Sequence, residues 1–183
     1  MRDEPRRSSA QQAAFHVGKV HGKLPSHPAV RATWFFTVAL AERNGNRLLT
    51  ETVDVLRTAF RDVKSRHPFW VDAVALMPDH QHCIWTLPNG DADYSTRWDL
   101  IKAGLFRRFK QGERRSASRV KRGERGIWQR RFWEHLIRDE RDYARHVDYI
   151  LRNPLKHGCV SSPAEWPYSS FWCFVKMGLY PPD

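Results

Sequence analysis

Residues 78–87 read PDHQHCIWTL, a short turn signal followed by a β-branched and aromatic run that predicts a strand. Side chains two residues apart on a strand point to the same face. His80 and His82 would therefore project two imidazoles side by side, while Gln81 and Cys83 point the other way. Two neutral imidazoles can bind one divalent metal ion if a third ligand comes from elsewhere. Taken alone, the pattern also fits a pair of half-buried histidines without a metal.

The elements around this stretch predict an α+β fold. Periodicity and turn signals give the order β-α-β-β-α-β-α. The first six elements form the ferredoxin-like, RRM-like split β-α-β pattern, an antiparallel sheet with helices on one face and an open face for ligands or nucleic acid. The predicted strands are 32–40, 69–77, 82–87 and 127–138, and the predicted helices are 48–66, 95–110 and 140–152, with Asn153-Pro154 ending or bending the last one.

The domain organisation predicted from composition is simple. Residues 1–30 are polar and basic and are expected to be a flexible lead-in, 31–155 form the main domain, and 156–183 form a C-terminal tail packed on it. Three cysteines at no metal-like spacing indicate ordinary thiols in a reducing compartment. No apolar run approaches ~18 residues and no secretory signal is visible, so we expect a cytoplasmic, nucleoid-associated protein without a membrane partner.

Positive charge is concentrated in one part of the chain. The formal net charge is +11. Residues 102–131 contain twelve Lys or Arg against two Glu, a local excess that nearly equals that of the whole chain. This concentration favours a nucleic-acid partner over a generally basic surface that binds nothing in particular. The candidate DNA-binding residues are Arg107, Arg108, Lys110, Arg114, Arg115, Lys121, Arg122, Arg130 and Arg131.

The helix predicted over 140–152 carries a second set of candidate functional residues. His146, Tyr149 and Asn153 recur at three- and four-residue steps and so share one helix face. A tyrosine phenol can act as a nucleophile toward phosphorus, and an Asn oxygen can bind a hard metal ion. The alternative is that Tyr149 is a half-buried aromatic and Asn153 merely precedes a proline. Trp128 could likewise stack on unpaired bases or simply pack in the core.

Three segments together resemble one known family. The segments MPDHQHCIWTLPNGDADYSTRW, IWQRRFWEHLIRDERDYARHVDYILRNPLKHG and EWPYSSF are similar to those of the REP-associated tyrosine transposases, a branch of the single-tyrosine HUH transposases. The resemblance covers roughly residues 34–180. It implies cutting and joining of single-stranded DNA at repeated extragenic palindromic (REP) hairpins, through a 5′-phosphotyrosine intermediate and with Mg²⁺ or Mn²⁺ as cofactor.

Residue roles follow from the resemblance position by position. It implies that His80 and His82 are the paired metal ligands and that Tyr149 is the catalytic tyrosine. Gln81 stands where the family usually has a bulky hydrophobic residue. Asn153 stands where related transposases place a Gln that completes the metal site. Tyr143, six residues before Tyr149, should point elsewhere around the helix.

Two other functions remain compatible with the sequence. A catalytically silent, transposase-derived protein that binds or regulates at DNA hairpins would use the same basic tract and sheet. A metal-dependent phosphodiesterase would activate a water molecule and leave no phosphotyrosine. Related insertion-sequence transposases are dimers, but the tail after Asn153 favours a monomer over a homodimer here.

Overall fold

A four-stranded antiparallel sheet forms the framework of the computed structural model, which describes residues 32–107 and 126–182. Along the sheet the strands lie in the order β2-β3-β1-β4, so the histidine-bearing β3 is a central strand. This confirms the predicted α+β, ferredoxin-like fold. The strands are β1 (Thr33–Ala39), β2 (Trp70–Leu76), β3 (His80–Thr86) and β4 (Trp133–Leu136).

Five α-helices accompany the sheet within the described part of the chain. None of them is both long and apolar enough to cross a membrane. The helices are α1 (Leu48–Glu51), α2 (Val53–Arg66), α3 (Tyr94–Phe106), α4 (Glu140–Lys156) and α5 (Phe171–Lys176), and a 3₁₀ turn covers Pro163–Glu165.

Helices α2 and α3 pack on one face of the sheet, as the ferredoxin-like pattern predicts. Alternate residues of the strands, including Phe36 and Trp85, point into this core. Trp85 stacks on Trp98 of α3 with ring centroids 4.2 Å apart, and Leu56 of α2 is fully buried beside them. Burial of such large side chains supplies the main stabilisation of this layer.

The opposite face, which the sequence pattern left open, is covered in part by α4 and α5. Phe35 and Ile84 on the sheet pack with Ile150 and Leu151 of α4 and with Phe174 of α5. The restriction to helices on one face therefore holds for the ferredoxin-like unit, and the last two helices form a third layer. The apolar stripe of α4 explains this, because a helix buries its apolar stripe against another element.

Several predicted boundaries were wrong. The helix predicted over 48–66 is divided into α1 and α2, and β3 begins at His80 instead of residue 82. Helix α4 does not end at Asn153-Pro154 but continues to Lys156, because a proline in the last turn removes only one hydrogen bond. Strand β4 spans four residues instead of the predicted 127–138, and Trp128 joins the sheet only through an isolated bridge to Leu40. Trp128 is buried in the core, so stacking on an unpaired base is excluded for it.

Candidate active site

Strand β3 presents both histidines on the face that α4 covers. His80 is the first residue of the strand, and both imidazoles are almost fully buried. Their ring centroids lie 4.8 Å apart, as expected for side chains two residues apart on a strand. The strand register sets Thr37 of β1 opposite His82. The two histidines thus occupy a fixed position in the middle of the sheet.

Hydrogen bonds orient the two imidazoles. The Nδ1 atom of His80 donates to the Asp79 carboxylate at 2.6 Å, and Arg43 holds that carboxylate from its other oxygen, also at 2.6 Å. The Nδ1 atom of His82 lies 2.8 Å from the Thr37 hydroxyl. Both histidines therefore have Nδ1 engaged, which leaves Nε2 as the free ring nitrogen.

Burial keeps both histidines in the neutral form. Burial, with smaller contributions from the neighbouring His80 and His157, lowers the pKa of His82 to about 3. Burial also lowers the pKa of His80, although the hydrogen bond to Asp79 opposes this change. A neutral imidazole is the form that binds metal ions.

Helix α4 places Tyr149 directly above His82. The two ring centroids are 5.0 Å apart, and the Tyr149 ring also contacts Phe35 edge-on at 5.9 Å. Tyr149 is 38% exposed, so its phenol is accessible from solvent. The amine of Lys156 lies 5.3 Å from the centre of the same ring. The predicted nucleophile and the predicted metal ligands are thus neighbours in one chain.

Asn153 lies on α4 between two residues that contact the histidine pair. One turn before it, Tyr149 packs on His82, and one turn after it, His157 packs on His80 at a ring distance of 5.0 Å. Asn153 is fully buried, and neither its amide nitrogen nor its amide oxygen has a hydrogen-bond partner within the described residues. Asn153 therefore lies on the same helix face as the two residues that contact the histidines.

The unsatisfied polar atoms fit a metal ion at this position. The Nε2 atom of His82 is buried without a partner within residues 32–107 and 126–182, as are both amide atoms of Asn153. Buried polar atoms normally have partners, and a divalent ion would satisfy an imidazole nitrogen and an amide oxygen together. Two imidazoles and one oxygen could hold Mg²⁺ or Mn²⁺ and leave further coordination positions for water or a phosphate.

Two other residues from the sequence analysis point away from this cluster. Gln81 alternates with the histidines and faces the core under α2 and α3, since its neighbour Val38 belongs to that core. Tyr143 is buried among the apolar residues of α4 and α5, where burial raises its pKa far above the usual value. Neither residue can take part in the chemistry at Tyr149.

Only part of the predicted DNA-binding set can be located. Arg107, Arg130 and Arg131 are exposed at the surface. Lys102, at the start of the basic tract, is buried instead, with its amine 4.8 Å from the Phe132 ring centre. The remaining candidates lie outside the described residues; they are Arg108, Lys110, Arg114, Arg115, Lys121 and Arg122.

Sequence reasoning missed the residues that support the histidines. Asp79 was assigned only to the turn, although a carboxylate beside a predicted metal-binding histidine is a recognisable signal. Thr37 and Arg43 gave no local signal, because their contacts depend on strand register and on the loop after β1. His157 was noted only as part of a motif.

Comparison with known proteins identifies the family. No protein-family model matches the chain. It is 47% identical over 151 residues to a REP-associated tyrosine transposase of Escherichia coli (strain K12), covering 82% of this chain and 83% of that protein. It is 42% identical over 151 residues to a putative REP-associated tyrosine transposase of Haemophilus influenzae (strain ATCC 51907 / DSM 11121 / KW20 / Rd), covering 82% and 85%.

A solved structure agrees with these relatives. It is a REP-associated tyrosine transposase bound to a REP hairpin, with a TM-score of 0.71, 43% identity, and coverage of 87% of this chain and 89% of that one. The sheet and the helix that bears Tyr149 thus have the fold of the tyrosine transposases. Within that class, the chain belongs to the REP-associated tyrosine transposase family.

Proposed function

We propose that this protein cuts and rejoins single-stranded DNA at REP-type hairpins, with Tyr149 as the nucleophile. The observation that carries the proposal is the 5.0 Å contact between the rings of Tyr149 and His82, on a face where buried polar atoms lack partners. A hairpin substrate is supported by the similar structure, which is bound to a REP hairpin. Single-stranded DNA is the substrate that the family resemblance implies.

The proposed metal site consists of His80, His82 and Asn153. Bound Mg²⁺ or Mn²⁺ would neutralise charge on the scissile phosphate and stabilise the leaving oxygen. Asp79 and Thr37 hold the two imidazoles in orientation from the side opposite Nε2. Such supporting contacts keep metal ligands in place and fix their tautomers.

The chemistry assigned to the chain's own residues is transesterification. The phenol oxygen of Tyr149 gives up its proton and forms a bond to phosphorus, while the bond between phosphorus and the 3′ oxygen breaks. The upstream strand leaves with a free 3′-OH, and the downstream strand stays attached as a 5′-phosphotyrosine. Attack by another 3′-OH reverses these bonds and releases Tyr149 without an external energy source.

Positive side chains near the phenol would hold the DNA backbone. Lys156 lies over the Tyr149 ring, where its charge could neutralise a phosphate that approaches the nucleophile. Arg107, Arg130 and Arg131 are exposed and would contact phosphates further away.

We infer that a monomer is sufficient, because Tyr149 packs on the histidines of its own chain.

The decisive experiment is adduct formation on labelled single-stranded REP-type hairpins with Mn²⁺. The unaltered protein should give a covalent protein–DNA band on a denaturing gel. Tyr149→Phe should give no adduct but should bind the hairpin with unchanged affinity, because only the phenol oxygen is lost. An adduct that persists with Tyr149→Phe would show that another residue is the nucleophile.

The metal role is checked in the same assay. His80→Ala/His82→Ala should bind the hairpin but form no adduct at any Mn²⁺ concentration, and EDTA should stop the unaltered protein. Adduct formation that resists EDTA would refute the metal role. Cleavage without any phosphotyrosine would favour a water-activating phosphodiesterase, and hairpin binding without cleavage would favour a silent DNA-binding protein.

A further inference from the structure

A cavity opens beside Tyr149, on the β1 and β4 side of the tyrosine. Its volume is about 490 Å³, and its walls combine aromatic rings with a few polar groups. Thr37 lines the cavity and its hydroxyl contacts His82, so the cavity adjoins the proposed catalytic cluster. The residues that line it are Phe35, Thr37, Trp133, Arg145, His146 and Tyr149.

Trp133 is an exposed aromatic wall of this cavity. It is 54% exposed, although tryptophan is highly buried on average. The indole is nevertheless held in place, because it meets Phe35 edge-on at 5.4 Å and lies parallel to the His135 ring at 5.8 Å with an interplanar angle of 2°. A fixed and exposed indole beside a cavity is a surface on which a flat ring can stack.

The polar wall of the cavity is fixed by Asp142. The buried Asp142 carboxylate accepts a 2.8 Å hydrogen bond from Nε2 of His135, and the Asp142 backbone carbonyl lies 2.8 Å from Nδ1 of His146. A carbonyl oxygen can only accept, so Nδ1 of His146 carries the proton. In the neutral ring Nε2 is then an acceptor. His146 lines the cavity, and its neutral form would offer Nε2 as a hydrogen-bond acceptor.

We propose that this cavity binds an unpaired nucleobase next to the phosphate that Tyr149 attacks. A base is a flat aromatic ring with hydrogen-bonding edges, which matches an aromatic wall, an acceptor from His146 and the exposed guanidinium of Arg145. The inference rests on the proposed function, since Tyr149 fixes which phosphate is meant. It adds a specificity-determining subsite to the nucleophile and the metal ligands.

The physical reason for such a subsite is positioning. A single strand has no groove to fix its register, so a stacked base next to the cleavage point would set which phosphate reaches Tyr149. Arg145 is largely exposed, and a flanking phosphate or the base edge would complement its charge. Trp133 and Tyr149 would then contact the same nucleotide from neighbouring walls.

The test is a double-mutant cycle that combines a substitution in the protein with the removal of one base from the DNA. A hairpin oligonucleotide is prepared intact and with single abasic sites at each of the three nucleotides on either side of the cleaved phosphate. Binding is measured with Tyr149→Phe and with Tyr149→Phe/Trp133→Ala, and cleavage with the unaltered protein and with Trp133→Ala. Leu136→Ala serves as the control, because Leu136 is 46% exposed on the same strand but alternates to the other face.

At one abasic position, the loss of affinity caused by Trp133→Ala and the loss caused by removing the base should not be additive. For the intact oligonucleotide we expect Trp133→Ala to lower affinity on the order of 10-fold. At the abasic position that empties the cavity, the same substitution should change affinity by less than about twofold. Leu136→Ala should change neither the affinity for the intact oligonucleotide nor the affinity for the abasic one. Trp133→Phe should restore part of the affinity that Trp133→Ala loses.

Two results would overturn the subsite. One is full additivity of Trp133→Ala with all six abasic sites, and the other is an equal loss of affinity with Leu136→Ala. If Trp133→Ala and one abasic site are non-additive in binding but no oligonucleotide is cleaved, the proposed function is refuted and the base-binding subsite still stands. If the oligonucleotides are cleaved but the effects of Trp133→Ala and of every abasic site are additive, the subsite is refuted and the proposed function still stands.

Discussion

Two buried side-chain amides, those of Asn153 and Gln81, lack hydrogen-bond partners within the described parts of the chain. Each unsatisfied group of this kind costs about 1–3 kcal/mol of stability. The two amides lie on opposite sides of the sheet, and Asn153 is on the side of the histidines. A protein that keeps such a group at a functional site gives up stability there. The pair therefore offers a direct test of whether the Asn153 amide serves function.

We expect Asn153→Leu to raise stability and to abolish metal-dependent cleavage. Leu keeps the branching of Asn without its unsatisfied atoms, so the free energy of unfolding without metal should rise by about 1–2 kcal/mol. Gln81→Met is the matched control, because it removes an unsatisfied amide that faces away from the site. It should also raise stability but leave Mn²⁺-dependent adduct formation unchanged. Normal adduct formation with Asn153→Leu would exclude Asn153 as a metal ligand.

Part of the site was predictable at the level of single residues. The two-residue period of a strand was sufficient to place His80 and His82 on one face, and the helical period placed Tyr149 and Asn153 together. The supporting residues were not predictable in the same way. The contact between Thr37 and His82 joins residues 45 apart in the chain and requires the register of β1 and β3.

At the level of elements, Asp142 ties β4 to α4. Its buried carboxylate accepts hydrogen bonds from the His135 imidazole of β4 and from the backbone amide of Arg138. The side chains of Arg138, Arg145 and His146 also lie within ion-pair distance of it. Burial alone would raise the pKa of Asp142, but the hydrogen bonds from His135 and Arg138 outweigh it and hold that pKa well below its usual range.

The low pKa of Asp142 predicts a pH dependence of stability. A carboxyl whose pKa is depressed in the folded state stabilises the fold above its unfolded pKa, near 3.9, and this stabilisation is lost as the pH falls toward the folded value. Asp142→Asn should therefore lower the free energy of unfolding by about 2 kcal/mol at pH 7. The difference from the unaltered protein should shrink between about pH 5 and pH 3.

Urea unfolding at pH 7, 5, 4 and 3 measures this difference. Asp54→Asn is the control, because the Asp54 side chain is 88% exposed and pairs with Arg57 across one helical turn. That variant should stay within about 0.5 kcal/mol of the unaltered protein at every pH. A stability difference for Asp142→Asn that is independent of pH would contradict the proposed origin of the stabilisation.

Element order was more predictable than element boundaries. The seven elements followed from periodicity, and the sheet order follows from the connections of the ferredoxin-like pattern. The length of β4 was overestimated, because the aromatic residues of 127–132 pack in the core and Trp128 forms no more than an isolated bridge to Leu40. The continuation of α4 past Pro154 was missed, because the cost of a proline depends on how near it lies to the end of the helix. Packing thus determines the ends of these elements, which local propensity does not determine.

For the molecule as a whole, the charge of the chain predicts how strongly DNA binding depends on salt. Contacts to phosphates release counterions, so affinity falls linearly with salt on logarithmic axes, with a slope of about −0.7 per phosphate for single strands. The net charge of +11 is concentrated over residues 102–131, and Arg130 and Arg131 are exposed directly before β4. These two arginines lie close in sequence to Trp133 of the proposed base-binding cavity. They are therefore suited to hold the backbone that leads to it.

We expect Arg130→Ala/Arg131→Ala to weaken hairpin binding and to reduce the magnitude of the salt slope by about 1.4 if each arginine contacts one phosphate of the single strand. Fluorescence anisotropy with a labelled hairpin at several KCl concentrations measures both effects. Arg61→Ala/Arg66→Ala removes the same charge from the exposed side of α2, which packs on the sheet face opposite Tyr149. If the control reduces the slope as much as Arg130→Ala/Arg131→Ala, the effect is one of net charge alone. If only Arg130→Ala/Arg131→Ala reduces it, the DNA backbone passes beside β4 on its way to Tyr149.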